Sequence, residues 1–333
     1  IQHLLNQFGG PQGVLRATQT ELMRVRGIDK KISDSIGHWE QHVSVEEERS
    51  MAEEAGVRIL TFLDEDYPEN LKQIYDPPII LYAKGSLLPK DKHAIAIVGS
   101  RRSTLYGRDT AGRLAHQLAS AGITVVSGLA RGIDTAAHEG ALQARGRTIA
   151  VLGSGFKHPY PPENRDLLER IAQSGAVLSE FPMRTIPDAT NFPIRNRIIS
   201  GLSLGVVVGE APRHSGAMIT ATQALHQNRS VFAVPGRIDS PTFRGNHRLI
   251  KEGAKLVEDA DDILSEFEYL FPPEAMKIES GPADEGPSPR LDEKEQKIFA
   301  LLSAEEKDIE EIIIQSGLPA KAVSVILRRL EVK

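Results

Sequence analysis

The amino-acid sequence predicts an α/β fold, a mostly parallel β-sheet with helices on both faces, flanked by small helical domains at the two ends of the chain. Short apolar runs alternate regularly with helix-like segments between residues 93 and 264. Such alternation is typical of parallel strands joined by right-handed helical crossovers. Toward both ends of the chain, apolar residues instead recur at helical spacing. The central region therefore has the pattern of a Rossmann-like domain.

The N-terminal region, residues 1–56, is predicted to be a helical domain of the helix-hairpin-helix or SAM-like kind. Leu22, Val25 and Ile28 recur at helical spacing. The glycine turn between the last two resembles, in part, the turn by which hairpin motifs present backbone N–H groups to DNA phosphates. Asp29 stands where that motif prefers a second glycine, and its carboxylate would repel phosphate. The alternative is a helical packing module without DNA contacts.

The central domain is predicted to span residues 57–271, and two short strands at 57–62 and 79–82 lead into it. Each later strand is an apolar run bounded by turn residues, as expected for strands that are buried on both faces. These strands are residues 94–98, 123–126, 148–152, 176–178, 205–208, 230–234 and 254–257.

A linker and a second helical domain are predicted after the sheet. Residues 272–290 are rich in proline and glycine, which is the composition of a flexible linker. Three helices are predicted at 292–302, 308–315 and 319–330, the last with a proline at its start. This domain, residues 291–333, resembles a helix-turn-helix or winged helix. Its net acidic charge leaves a protein-interaction role open as the alternative to DNA binding.

Charge is distributed unevenly along the chain. The net charge of all 333 residues is −5, whereas residues 93–260 contain 20 Arg and Lys against 13 Asp and Glu. A basic centre between acidic ends indicates a polyanionic partner for the central domain. The chain has no cysteine, which excludes disulfides and thiolate sites and fits a cytoplasmic protein. No apolar run reaches the length of a membrane span, so no membrane association is expected.

Small and polar residues follow nearly every predicted strand. The first strand ends at Gly99 and Ser100, and Arg101 and Arg102 come directly after them. Carboxyl ends of parallel strands meet at one edge of a sheet, where open α/β sheets bind ligands. Small residues let backbone N–H groups approach an anion, and helix N-termini attract it. The sequence therefore predicts a phosphate-binding groove. Its other strand-end residues are Ser127, Gly128, Arg131, Gly132, Lys157, Ser215 and Gly216.

The segment before the 205–208 strand places Phe192 close to Arg195 and Arg197. Guanidinium groups neutralise phosphates, and an aromatic face stacks on a base without demanding a particular sequence. The alternative is that Phe192 packs in the core and that the arginines pair with Glu180 or Glu210. Two uncompensated arginines are costly to bury, so binding is the favoured role of the arginines, and both interpretations stay open for Phe192.

Several enzyme classes find no support in the sequence. A P-loop motif is absent, and no second histidine follows His138 to complete a zinc-binding helix. In the G-x-G that begins at Gly153, His158 stands where dinucleotide-binding proteins have their third glycine. The adjacent His214 and Ser215 are not spaced as a base and its nucleophile. We therefore expect no metal, no cofactor and no catalytic residues.

Residues 94–257 resemble the DNA-processing protein A family (DprA, also called Smf). The resemblance rests on an ordered set of segments, residues 97–102, 126–134, 137–138, 148–153, 160–161, 179–180, 192–199, 215–216, 234–236 and 246–254. It implies an extended Rossmann fold and a homodimer that binds single-stranded DNA in a basic pocket. It also implies a non-enzymatic, cytoplasmic protein that protects incoming DNA and loads the RecA recombinase during natural transformation.

The resemblance also implies roles for particular residues. The turn at residues 99–101 would contact phosphate, Arg195 and Arg197 would line the groove, and Phe192 would contact a base. Backbone cradles would form at Ser127, Gly128 and Gly132. The complete candidate DNA-binding set is Gly99, Ser100, Arg101, Arg102, Ser127, Gly128, Arg131, Gly132, Lys157, Phe192, Arg195, Asn196, Arg197, Ser215, Gly216 and Asn246.

The alternative function is a nucleotide-processing enzyme of the lysine-decarboxylase-like phosphoribohydrolase type, which has the same kind of sheet. Those enzymes use a P-G-G-x-G-T-x-x-E signature. Here Pro235 and Gly236 are followed by Arg237, and residues 215–220 lack the glutamate. The sequence therefore favours DNA binding over this chemistry.

Overall fold

The computed structural model describes residues 2–267, 270, 292–302 and 308–332. The chain forms two compact units, residues 1–276 and residues 277–333. The linker predicted at 272–290 lies outside the described residues.

A nine-stranded β-sheet forms the centre of the first unit, with the strand order β1-β2-β6-β5-β4-β3-β7-β8-β9. Its strands are β1 Val57–Thr61, β2 Ile80–Gly85, β3 Ala94–Val98, β4 Thr124–Ser127, β5 Thr148–Val151, β6 Ala176–Ser179, β7 Gly205–Val208, β8 Ser230–Ala233 and β9 Lys255–Leu256. Neighbours from β6 to β9 along this order are parallel, whereas β2 is antiparallel to β1 and β6. The predicted mostly parallel sheet is therefore confirmed.

Helices cover both faces of the sheet. The helices in the described part of the first unit, including the N-terminal ones that have a cluster of their own, are α1 Gln2–Phe8, α2 Pro11–Arg16, α3 Gln19–Leu22, α4 Lys30–Gly37, α5 Trp39–His42, α6 Val45–Glu54, α7 Glu69–Lys72, α8 Leu105–Ser120, α9 Ile133–Gln143, α10 Arg165–Ser174, α11 Asn191–Leu202, α12 Gly216–His226, α13 Arg244–Lys251 and α14 Ala260–Leu264. Short 3₁₀ turns lie at Pro89–Lys92, Pro162–Asn164, Pro241–Phe243 and Ser265–Phe267.

Strand β3 is buried along its whole length. Ile95 and Ile97 pack with α8 and α9 on one face of the sheet, whereas Ala96 and Val98 pack with α11 and α12 on the other. Burial of an isoleucine side chain stabilises the fold by roughly 1.5–3 kcal/mol. A strand that is covered on both faces therefore requires the uninterrupted apolar run that the sequence has here.

The path of the chain creates a crevice beside β3. From β3 the chain winds outward through β4, β5 and β6, and it then returns to the other side of β3 as β7. Ile95 accordingly pairs with Val125 of β4 and with Gly205 of β7. Open α/β sheets bind ligands where the winding reverses in this way, beyond the carboxyl ends of the strands. A functional site is therefore expected beyond β3 and β7.

The N-terminal helices have a small apolar cluster of their own, which includes Leu4, Val14, Leu22 and Val25. Asp29 caps α4, because its carboxylate accepts a hydrogen bond from the backbone N–H of the third helical residue at 2.8 Å. A phosphate at this helix start would have to displace that carboxylate.

Helix α6 packs against the sheet, although it precedes the domain boundary predicted at residue 57. Met51 lies in one apolar cluster with Tyr82 and Met183. The Glu48 carboxylate accepts a hydrogen bond from the Met183 backbone N–H at 2.7 Å. The helix therefore connects the N-terminal helices to the sheet.

The described part of the second unit contains three helices, α15 Glu293–Phe299, α16 Ile309–Ser316 and α17 Ala320–Val332. They share an apolar cluster that includes Ile298, Ile312 and Val323. Gly317 adopts a left-handed conformation after α16, so the chain turns sharply before α17. No helix in the described ranges is long and apolar enough to cross a membrane.

Candidate nucleic-acid interface

A cavity of about 870 Å³ opens beyond the carboxyl ends of β3 and β7, where the winding of the sheet reverses. Its wall is built from the turn after β3 and from the first turns of α11 and α12. Nine members of the candidate set line it, namely Gly99, Ser100, Arg101, Arg102, Phe192, Arg195, Asn196, Ser215 and Gly216. The chain therefore brings together segments that are far apart in the sequence.

The turn after β3 is held in place by backbone contacts. The Ser100 N–H donates to the Glu210 carbonyl at 2.7 Å, and the Ser100 carbonyl accepts from the Ile133 N–H at 3.3 Å. A Cβ atom on Gly99 would lie 2.4 Å from the Ile133 side chain, and one on Gly132 would lie 2.4 Å from the Ser100 carbonyl oxygen. Both glycines are thus required by close packing between the turn and α9. Close packing is therefore a second reason for glycine at these two positions, beside the approach of a phosphate that the sequence suggested.

Arg101 projects from this turn over an aromatic ring. Its guanidinium carbon lies 4.5 Å from the centroid of the Phe192 ring, a cation–π distance. Arg101 and Arg102 are both exposed, and neither forms a salt bridge within the described ranges. The cavity mouth therefore has two cationic side chains whose charge is available to an anionic ligand.

Arg195 has a different environment, because it is only 3% exposed. Its guanidinium donates hydrogen bonds to the carbonyls of Gly128, at 2.8 Å, and Val151. Burial lowers the pKa of Arg195 to about 10, partly opposed by the nearby Asp134 carboxylate. Burial likewise raises the pKa of Asp134, which accepts from the Gly128 N–H at 3.1 Å. Arg195 thus joins the ends of β4 and β5 at the cavity wall, where its guanidinium is already hydrogen-bonded to backbone carbonyls.

Arg197 does not line the cavity. Its two terminal nitrogens donate to the two carboxylate oxygens of Glu180 at 2.7 and 2.6 Å, and its Nε donates to the Asp76 carbonyl at 3.0 Å. The expectation that this arginine has no compensating partner is therefore wrong. The alternative pairing with Glu180 is the one that the structure shows.

Three other candidates, Ser127, Gly128 and Asn246, support the site from inside the protein. The Ser127 hydroxyl donates to the Ile97 carbonyl at 2.6 Å. The buried Asn246 side chain accepts from the Ala211 N–H and donates to the carbonyls at the ends of β7 and β8. A Cβ atom on Gly128 would lie 2.6 Å from the Arg195 guanidinium. These three buried residues position the strand ends, so their predicted DNA contacts are corrected to structural roles.

Arg131 and Lys157 lie outside the cavity lining. Arg131 pairs with the Glu163 carboxylate and donates to the Tyr160 hydroxyl at 3.3 Å. Lys157 is exposed in the loop after β5. The Glu163 carboxylate therefore already compensates the charge of Arg131.

The first turn of α12 also lines the cavity. Ser215 precedes the helix without capping it, and its buried hydroxyl has no partner in the described part of the chain. Nothing lies within 4 Å of a Cβ atom built on Gly216. The positive end of an eleven-residue helix dipole thus meets open space. At α11, by contrast, Asp188 accepts from the Thr190 N–H at 2.8 Å, which places a carboxylate beside that helix start.

Tyr160 is a cavity-lining residue that the sequence did not assign to the site. Its ring centroid lies 5.8 Å from that of Phe192, with the planes tilted by 59°. The only signal for it was its place in one of the segments that resemble the DprA family. The described residues contain no group of three His, Asp or Glu side chains that could hold a metal ion.

Two family models match the chain. A model described as DNA recombination-mediator protein A matches residues 58–268, and one described as the DprA winged helix domain matches residues 282–333. DNA processing protein DprA of Bacillus subtilis (strain 168) is 46% identical over 215 residues, which are 64% of this chain and 72% of that protein.

Solved structures of DNA processing protein A share the fold. The X-ray structure of DprA from Streptococcus pneumoniae superposes with a TM-score of 0.70 at 36% identity, covering 80% of this chain and 91% of that one. DNA processing protein A from Helicobacter pylori, solved to study its unique single-stranded DNA binding mode, has a TM-score of 0.57 at 30% identity, over 64% of this chain and 96% of that one.

Proposed function

Because the chain belongs to the DNA recombination-mediator protein A family, we propose that it binds single-stranded DNA in the cavity beyond β3 and β7. The observation on which this proposal depends is the position of Arg101. Its exposed guanidinium has no salt-bridge partner within the described residues and lies over an aromatic ring at the mouth of the cavity. A cation and an aromatic side chain are the two groups by which proteins bind single strands.

The contacts divide into two groups. We assign direct DNA contact to Ser100, Arg101, Arg102, Phe192 and the start of α12 at Ser215 and Gly216, all of which line the cavity. The arginine side chains and the helix N-terminus would bind phosphates, and the Phe192 ring would stack on a base. The buried or paired residues Ser127, Gly128, Gly132, Arg195, Arg197 and Asn246 act by holding this arrangement together.

The same contacts favour binding without sequence preference. Phosphates are identical along a strand, and every base has a face on which an aromatic ring can stack. Protection of incoming DNA, loading of the RecA recombinase in natural transformation, homodimer formation and a cytoplasmic location are part of the proposal on the ground of the family resemblance. So is the absence of enzymatic activity.

The test is a titration of fluorescently labelled single-stranded and duplex oligonucleotides of equal length at 50 and 200 mM salt. We expect tighter binding to single strands, similar affinity for mixed-sequence and homopolymeric strands, and weaker binding at the higher salt concentration. Equal affinity for duplex and single strands would refute the proposal. Release of free base from nucleoside monophosphates would instead support the phosphoribohydrolase alternative.

A further inference from the structure

Four side chains form a continuous row of stacked and tilted groups beside the cavity. Arg131 lies with its guanidinium carbon 5.7 Å from the Tyr160 ring centroid. The Tyr160 and Phe192 centroids are 5.8 Å apart, and Arg101 lies 4.5 Å from the Phe192 centroid. The row thus contains two aromatic rings between two guanidinium groups.

The two rings differ in how far their surfaces are already occupied. Phe192 is contacted by Arg101 and also has the Arg195 guanidinium carbon at 5.9 Å. A Cβ atom on Gly153 would lie only 2.8 Å from its ring, so Phe192 also packs against the backbone after β5. A base can stack on Phe192 only where these neighbours leave room for it.

Tyr160 is held in position without being enclosed. Arg131 donates to its hydroxyl at 3.3 Å and is itself paired with Glu163. The 59° tilt between the Tyr160 and Phe192 planes means that the two rings do not stack face to face. Tyr160 lines the cavity and is partly exposed.

We propose that Tyr160 is a nucleobase-binding residue, on whose ring one base of the bound single strand stacks. Arg131 and Glu163 act as positioning residues that orient this ring, since the Arg131 charge is compensated by the Glu163 carboxylate. The inference rests on the proposed function, because it requires that the single strand occupy this cavity. Stacking on one aromatic side chain changes the affinity for a single strand by roughly 5- to 150-fold.

The experiment compares a thymidine homopolymer with an abasic oligonucleotide of equal length, which has the phosphates but not the bases. Tyr160→Ala should weaken binding of the homopolymer by roughly 5- to 150-fold and leave binding of the abasic strand unchanged. Tyr160→Phe keeps the ring and should bind the homopolymer nearly as well as the unchanged protein does. Tyr75→Ala is the matched control, because Tyr75 is 89% exposed and does not line the cavity.

A second measurement avoids the loss of the ring. Tyr160→Trp in a Trp39→Phe background leaves a single tryptophan, since Trp39 is the one tryptophan of the sequence. Its fluorescence should be quenched by the homopolymer and not by the abasic strand, because only a stacked base contacts the indole.

The outcomes separate the two proposals. Equal losses on both oligonucleotides in Tyr160→Ala, or an unchanged affinity for the homopolymer, would overturn the base-binding role while the proposed function stands. Equal quenching by both strands would overturn it as well. If the unchanged protein binds neither oligonucleotide, the proposed function itself fails, and the role of Tyr160 fails with it.

Discussion

Replacing Arg101 with alanine should weaken binding of single-stranded DNA and reduce its dependence on salt. The side chain is exposed and forms no salt bridge with any described residue. Its full charge is therefore available to a phosphate, in contrast to the charges of Arg131 and Arg197, which are paired with Glu163 and Glu180.

The size of the affinity loss follows from the contact that the guanidinium forms with a phosphate and the contact that it loses with Phe192. A hydrogen bond to a charged group contributes about 1.5–3 kcal/mol. If Arg101 leaves the Phe192 ring at 4.5 Å to reach a phosphate, about 0.5–1 kcal/mol of cation–π contact is lost. The net contribution of about 1–2 kcal/mol corresponds to roughly 5- to 30-fold in affinity. Loss of one phosphate contact should also reduce the slope of log K against log salt by about 0.7 for a single strand.

The assay is fluorescence anisotropy with a labelled thymidine homopolymer at several salt concentrations between 50 and 200 mM. Arg170→Ala is the matched control, because it removes an exposed arginine from α10, outside the cavity. We expect the control to keep the slope of the unchanged protein. If Arg101→Ala has both the affinity and the slope of the unchanged protein, the guanidinium does not bind phosphate, and the reasoning from its free charge is refuted.

Three further predictions concern stability. Arg197→Ala leaves the Glu180 carboxylate without its bidentate partner. It should therefore lower the free energy of unfolding, measured by urea denaturation, by about 1–3 kcal/mol. The dependence of DNA binding on salt should stay unchanged. Gly99→Ala should lower the free energy of unfolding by about 1–3 kcal/mol, because the added Cβ would lie 2.4 Å from a neighbouring side chain. Gly216→Ala, whose Cβ would have nothing within 4 Å, should melt within a few degrees of the unchanged protein. Equal melting temperatures in the two variants would contradict the packing argument. Burial lowers the pKa of His138 to about 3, so between that value and its ordinary value near 6.5 the unfolded chain binds a proton that the folded chain does not. Stability should therefore fall by up to about 1.4 kcal/mol per pH unit on acidification below 6.5, and His138→Gln should show a shallower fall in the same denaturation series.

The strands and their order of appearance were predictable because the signals for them are local. The β3 run of five apolar residues is bounded by Gly99 and Ser100, and this pattern alone indicates a strand that is covered on both faces. The turns at the strand ends were equally visible, because small residues follow the apolar runs directly. Nine candidates consequently line one cavity.

The roles of the charged residues were not predictable in the same way. Arg101, Arg195 and Arg197 look alike in the sequence, yet they differ in burial and in partners. Arg197 meets the Glu180 carboxylate 17 residues away, and Arg195 meets the Gly128 carbonyl 67 residues away. A long side chain can reach any of several partners, and only the packing of α11 against the strand ends selects one.

The sequence by itself determined the fold class and the edge of the sheet at which the candidate site lies, because apolar periodicity and turn residues act over a few neighbouring positions. Only the tertiary structure decided which arginine keeps a free charge, which glycines serve packing, and that Tyr160 joins Phe192 in the cavity. These properties depend on distances between segments that are remote in the chain, and those distances exist only after the sheet has formed.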